Sequence, residues 1–176
     1  GFRIDRGFQV LSTAYPEVRA MLDLAALRLG RFAPGALVRL GGGFARFLDP
    51  TRRPRELMRT LGSGVMAPAD QLRVLALRRS ATRGTLEGLY ARPERSALSE
   101  LRARGFGEAA IEHFFRPFLA GVFLERELAS SSRFLEFAFR HFALGDATLP
   151  AEGMGAIPRQ LAAALAPGTV RTHAPI

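Results

Sequence analysis

The chain has 176 residues, 48% of them hydrophobic and 23% charged, an ordinary globular composition with enough length for one domain and a real core. It contains no cysteine, which excludes disulfide frameworks, thiolate zinc sites and thiol nucleophiles. The formal net charge of +9 invites a nucleic-acid reading, yet all 25 basic residues are arginines scattered along the whole chain, the pattern of a solvated surface encoded by a GC-rich sequence rather than of a phosphate-binding patch.

No apolar run of about 18 residues occurs, so no transmembrane helix is expected. The opening GFRIDRGFQVL is neither a signal nor a transit peptide, and it starts in mid-pattern, as a piece of a longer protein would. In chain order, Phe2–Asp5 reads as a short strand, Gly7 as a turn and Phe8–Leu11 as a second extended segment. Pro16 suits a first helical turn; Val18, Met21, Leu22 and Ala25 follow at helical spacing, with Gly30 placed as the stop. Ala36–Leu40 and Phe44–Leu48, joined by three glycines, read as a hairpin closed by Asp49-Pro50.

A helical block follows, with helices over 55–61, 68–83, 96–104 and 108–115 separated by glycines and Pro93. Leu72, Leu75 and Ala76 give the second of these an inward stripe, and Ser96 and Gly105 make an N-cap and C′ pair for the third. Ser132 is placed to cap a helix over 133–143 that Gly145 ends. Residues 147–149 read as a short extended piece. Ile157, Leu161 and Leu165 stripe a last helix, and 169–176 reads as a terminal strand. The pattern is α+β, with a mainly helical segment inserted between strands of a sheet.

The stretch 110–165 holds eight of the fourteen phenylalanines: Phe114, Phe115, Phe118 and Phe123 before the Ser130–Ser132 break, and Phe134, Phe137, Phe139 and Phe142 after it. These segments are apolar on more than one side, so they form plain core or wall an apolar cavity. No acid–base pair stands out. Glu125 and Glu127 read as solvated, His113 and His141 as core histidines, and the serine run as capping rather than nucleophilic. The three histidines are far apart, and no metal site is expected.

Gly62-Ser-Gly64-Val-Met-Ala67 satisfies G-x-G-x-x-A, but it follows a helix, whereas a dinucleotide fingerprint needs a preceding strand. Gly153-Met154-Gly155 enters a helix from an extended segment and reads as a tight turn. There the glycines allow close approach of a backbone to a ring, or the free amides bind an anion.

Four blocks in order resemble one family, the FAD-dependent amine oxidase and phytoene desaturase-like flavoproteins. Gly1–Leu11 is similar to the family's strand–turn with its G-x-x-x-D-x-G pattern, and Arg116–Phe123 to its P-F-L-x-G-V-F segment. Leu149–Leu161 resembles the L-P-x-G-G-M segment and the helix after it; Val170–Ile176 resembles the strand that approaches the adenine end of FAD. Together they span the chain. The resemblance implies an oxidoreductase that passes hydride from an apolar small-molecule substrate to FAD, the flavin carrying the chemistry and no catalytic side chain being identified.

It further implies that Gly7, Phe8, Gln9, Gly153, Met154, Gly155 and Ile176 contact the cofactor, and that Phe118, Gly121, Val122 and Phe123 wall the substrate space. The implied division is a strand–turn near the flavin (1–15), a mostly helical substrate-binding region (16–146), and a helix and strand returning to the FAD-binding domain (147–176). Two positions depart from the family pattern: Glu152 and Ala120 stand where glycines are usual. The nucleotide-binding G-x-G-x-x-G unit and a C-terminal flavin-contacting segment are missing. The isolated chain is therefore expected to bind FAD weakly or not at all, to be inactive, and to need both missing parts of its polypeptide.

A cytoplasmic location follows, with peripheral membrane contact left open and no nucleic acid as partner. The competing readings are an Arg-rich helical module for nucleic acid or an anionic membrane surface, which predicts salt-dependent binding, and a non-catalytic flavoprotein relic.

Overall fold

A computed structural model describes residues 4, 5, 7 and 9–174. In chain order the elements are β1 (Leu11–Ser12), α1 (Pro16–Met21), β2 (Gly30–Arg31), β3 (Gly35–Leu40) and β4 (Gly43–Leu48). A 3-10 turn (Pro54–Glu56) leads into α2 (Leu57–Leu61), then α3 (Pro68–Thr82), α4 (Leu86–Tyr90), α5 (Ala97–Ala103) and α6 (Glu108–Ala110). A π turn (Ile111–Phe115) runs on into α7 (Arg116–Phe123), followed by α8 (Ser132–Leu144), β5 (Ala147–Leu149) and α9 (Ala156–Ala163). The class is α+β, as expected, and the sheets are small and antiparallel. The chain forms two compact units: one comprises 1–32 with 145–176, the other 33–144.

In the discontinuous unit, β5 is the central strand, antiparallel to β1 and to β2. Thr148 is fully buried there, and its hydroxyl donates to the Leu11 carbonyl at 2.8 Å, so the polar side chain is satisfied inside the sheet. Gly145 lies against the first strand's exit: an added Cβ would sit 2.6 Å from the backbone nitrogen of Ala14. Gly145→Ala is therefore expected to lower stability by about 1–3 kcal/mol through forced backbone displacement. Thermal denaturation checks it, and an unchanged midpoint would show that this approach is not tight in solution.

Three expectations for this unit need correction. Helix α1 stops at Met21, not Gly30, because the Asp23 carboxylate accepts from the amides of Ala25 and Ala26 and starts a new turn. Gly30 belongs to β2. Residues 169–174 form no strand: Val170 is half-exposed, and a strand-prone sequence needs a neighbouring ladder to pair with. Leu165 lies beyond α9 and is half-exposed, so the last helix shows only Ile157 and Leu161 of its predicted stripe. Of the two N-terminal strand segments, Leu11 alone among the described residues is in a strand; Phe2, Arg3 and Phe8 lie outside them.

In the continuous unit, β3 and β4 pair from Gly35↔Leu48 to Leu40↔Gly43 across the two-residue turn Gly41-Gly42. Gly41 has φ 54°, the first-position requirement of a II′ turn, while Gly42 does not have positive φ. Ser96 caps α5 through the Ser99 amide, and Gly105 leaves it at φ 81°, both as expected. The core gathers Leu77, Leu101, Ile111, Phe115, Leu119, Leu128 and Leu135 from α3, α5, the π turn, α7, the 124–131 loop and α8.

The inward face of α3 is Gln71, Val74, Leu77 and Ala81, one position off the predicted stripe, and Leu72 is exposed. Polar residues take the inward side of its first turn because they have fixed partners. Gln71 donates to the Leu61 and Met66 carbonyls, and Asp70 accepts from the Gly107 amide and from Arg73. Helix α4, absent from the sequence reading, is a single capped turn in which Thr85 accepts from the Gly88 amide.

The helix expected to end at Phe115 continues to Phe123 through the π turn. Pro117 has no N–H and its ring crowds the carbonyl four residues back, that of His113; a wider turn at this point relieves the clash. Ser131 rather than Ser132 caps α8: its hydroxyl accepts from the Arg133 amide and its carbonyl from those of Phe134 and Leu135. The Ser132 hydroxyl instead accepts from the Arg95 amide.

Candidate functional site

The Pro150–Gly155 turn follows directly from the central strand. Gly153 adopts φ 74°, which a side chain would strain, and it is buried while Met154 and Gly155 are half-buried. The turn is held by the N-terminal segment of the same unit: the Met154 amide donates to both oxygens of the Asp5 carboxylate, at 3.1 and 3.2 Å. Gln9 donates to the Asp5 carbonyl at 3.4 Å, and at Gly7 an added Cβ would meet no heavy atom within 4 Å.

The two glycine-containing blocks singled out in the sequence, 149 residues apart at this contact, thus meet through one carboxylate. Asp5 was quoted in the sequence only as part of a pattern; its acceptor role is what the structure adds. The amide of Met154 is engaged, so the anion-binding alternative for this turn loses one of its donors. The Arg159 guanidinium reaches over the turn, 3.0 Å from where a Cβ on Gly155 would lie. Phe8 and Ile176 lie outside the described residues.

The predicted wall residues lie on α7 in the other unit. Phe118 is half-buried and packs on Phe114, Phe139 and Phe142 with ring centroids 6.0, 6.4 and 5.4 Å apart. Phe123 meets Phe134 at 5.0 Å, Val122 is half-buried, and Gly121 is exposed with open space at its Cβ position. Deeper, the fully buried Phe115 contacts Phe106, Phe114 and Phe139. The aromatic stretch therefore does two things: one side is core, and the other, with Phe118, Phe134 and Phe142, remains partly open.

His141 is buried, its Nδ1 2.7 Å from the Phe137 carbonyl and its ring 4.0 Å from that of Phe137. His113, read as a core histidine, is exposed, because its position on the π turn faces away from Ile111 and Phe115. Glu125 is not simply solvated either. Partial burial disfavours its charge, but the amides of Ser130, Ala129 and Leu128 outweigh this and hold its carboxyl below the usual range. Among the described residues, no group of acidic residues and histidines is placed to hold a metal.

Several arginines pair with carboxylates at separate places along the chain, among them Arg28–Glu152, Arg59–Glu56, Arg102–Glu108 and Arg116–Glu112. No helix of the described residues is long and apolar enough to cross a membrane.

A family model, that of the flavin containing amine oxidoreductases, matches residues 1–176, the whole chain. Neither the curated proteins nor the solved structures give a match.

Proposed function

We propose, from the premise that this chain belongs to the flavin containing amine oxidoreductase family, that it is the central part of an FAD-dependent oxidoreductase of the amine oxidase or phytoene desaturase-like type, acting on an apolar substrate. Flavin-dependent oxidoreductase activity is what the family implies; FAD in particular, the apolar substrate and the subtype are our reading. The observation that carries it is the Asp5–Met154 contact, which joins the two blocks expected to face the cofactor.

The residues present suit a flat, close-approaching ring. The turn carries two glycines, one buried at positive φ, and Gly7 offers a surface with no side chain. Gly7, Gln9, Gly153, Met154 and Gly155 would hold the group, with Phe8 and Ile176 proposed as further contacts. When bound, the flavin supplies the acceptor for the substrate hydride. The protein's share is positional. Asp5 fixes the turn, and Phe118, Val122 and Phe123 present apolar surface that excludes water, with Gly121 leaving room between them.

The unit 33–144, which falls within the 16–146 region read as substrate-binding but leaves 16–32 to the other unit, interrupts that unit in sequence, which supports the inserted-domain reading. Gly62–Ala67 lies between two helices, α2 and α3, and the turn between β5 and α9, Gly153-Met154-Gly155-Ala-Ile-Pro158, lacks the last glycine of the fingerprint. The reading assigns the nucleotide-binding unit to other parts of the same polypeptide and expects no turnover from this chain alone.

The test is the visible spectrum of the polypeptide carrying these residues, purified whole. A flavin spectrum that bleaches on reduction and recovers in air supports the reading; a colourless protein that takes up no added FAD overturns it. Asp5→Ala in that protein removes a hydrogen bond to a charged group and should weaken flavin retention about tenfold. Equal flavin content in wild type and variant would dissociate the turn from the cofactor.

A further inference from the structure

In the discontinuous unit, a concavity of about 450 Å³ is lined by Arg19, Arg28 and Arg31, with Leu24, Ala25 and Leu29 among its walls and Asp146 as the one lining carboxylate. From its geometry we infer that this concavity binds the phosphate or carboxylate head of an amphiphilic anion, the alkyl part resting on Leu24, Ala25 and Leu29.

Three arginines line it from three different elements: α1, the loop after it, and β2. Against Asp146 in the lining and Glu152 beside Arg28, the three arginines leave a surplus of one positive charge. Arg19 is steered by donating to the Thr13 carbonyl at 2.6 Å, a neutral acceptor, so its charge has no carboxylate partner among the described residues. Arg28 and Arg31 pair with Glu152 at 3.0 Å and Asp146 at 3.3 Å, but their side chains are 68% and 75% exposed. Pairs that exposed contribute little, so an incoming anion can exchange for them at small cost.

The planar guanidinium fork matches phosphate and carboxylate oxygens, and the volume suits a small ligand. Merely solvated arginines would need neither a hollow nor an apolar floor. Arg28 is tied through Glu152 to the turn that carries Met154, but no residue of the concavity takes part in the Asp5–Met154 contact, and the inference does not rest on the flavin reading.

The experiment titrates the chain with octyl phosphate, octanoate and octanol by calorimetry at low ionic strength, following the Leu24 and Leu29 methyl resonances. Octyl phosphate and octanoate should bind, and octanol at least about tenfold more weakly, since it lacks the charge-assisted hydrogen bonds. Arg28→Gln and Arg31→Gln should each reduce octyl phosphate affinity several-fold, while Asp146→Asn, which removes the opposing charge, should raise it. Arg126→Gln should leave it unchanged.

Unfolding would not give effects of opposite sign, and melting curves of each variant check the fold. Phosphatidic acid vesicles set against phosphatidylcholine vesicles separate the sources. Sedimentation with the former that Arg28→Gln reduces supports the site with a lipid headgroup; soluble binding alone supports it with a free anion. Octanol binding as tightly as octyl phosphate, or affinity untouched by both arginine variants, overturns the site.

Discussion

Glu136→Ala is expected to destabilise the 33–144 unit by about 2–4 kcal/mol, read as a lower urea midpoint at neutral pH. Glu136 on α8 is buried, and its Oε1 accepts from Arg92 at 2.8 Å, Arg104 at 2.7 Å and the Ser80 hydroxyl at 3.3 Å. One carboxylate oxygen thus ties α8 to α3, α5 and the segment after α4. Arg92 also donates to the Ser80 carbonyl, and Arg104 to Glu100 at 2.6 Å.

Removing Glu136 leaves two guanidinium groups facing each other beside a cavity, and that unpaired state, not the intrinsic strength of the bridge, sets the loss. The arginine side chains are 29% and 25% exposed, so water relieves part of it, and Arg104 keeps Glu100. The expectation therefore sits toward the lower end for a broken buried pair. Glu136→Gln keeps an acceptor in place and should cost about 1–2 kcal/mol less, the difference measuring charge assistance. An alanine variant within about 0.5 kcal/mol of wild type would mean that the cluster behaves as an exposed one.

That cluster also shows where sequence reading reaches its limit. Local signals were legible: Pro68 opening α3, Ser96 and Gly105 bounding α5, and the glycine pair of the β3–β4 hairpin each act through the nearest few residues. Glu136 lies 44, 32 and 56 residues from its partners, and nothing in FLEFAF distinguishes a buried acid from a solvated one. The same holds for Gln71 and Asp70, whose inward placement depends on carbonyls and an amide supplied by loops.

Side-chain turns that compete with a helix were missed where one residue decides, as with Asp23 ending α1 and Ser131 rather than Ser132 capping α8. At the candidate site, the glycines marked the turn because glycine is chemically distinctive. Asp5 did not stand out until its carboxylate was seen against the Met154 amide. The arginine-lined concavity was hidden for a related reason: Arg19, Arg28 and Arg31 stand apart from one another among twenty-five arginines spread along the chain and give no linear signal.

Phe115→Ala and Phe118→Ala separate the two roles of the aromatic stretch. Phe115 is fully buried among Phe106, Phe114 and Phe139, and its truncation should cost about 3–5 kcal/mol by loss of burial and by the cavity it leaves. Phe118, one helical turn on, is half-buried, and water can fill part of the space its ring vacates; about 1–2 kcal/mol is expected. Denaturant unfolding of the two variants gives the ranking directly.

In the whole flavoprotein the order should invert at the level of turnover. Phe118→Ala removes apolar surface that we propose faces the substrate, and on that proposal it should raise KM while flavin content stays constant. Phe115→Ala should lower the amount of folded enzyme and leave KM of the surviving fraction near wild type. A Phe118→Ala variant as unstable as Phe115→Ala, with KM unmoved, would assign the entire run of phenylalanines to the core. The open side of α7 and α8, with Phe118, Phe134 and Phe142, would then carry no substrate role, and the proposed function would rest on the Asp5–Met154 turn alone.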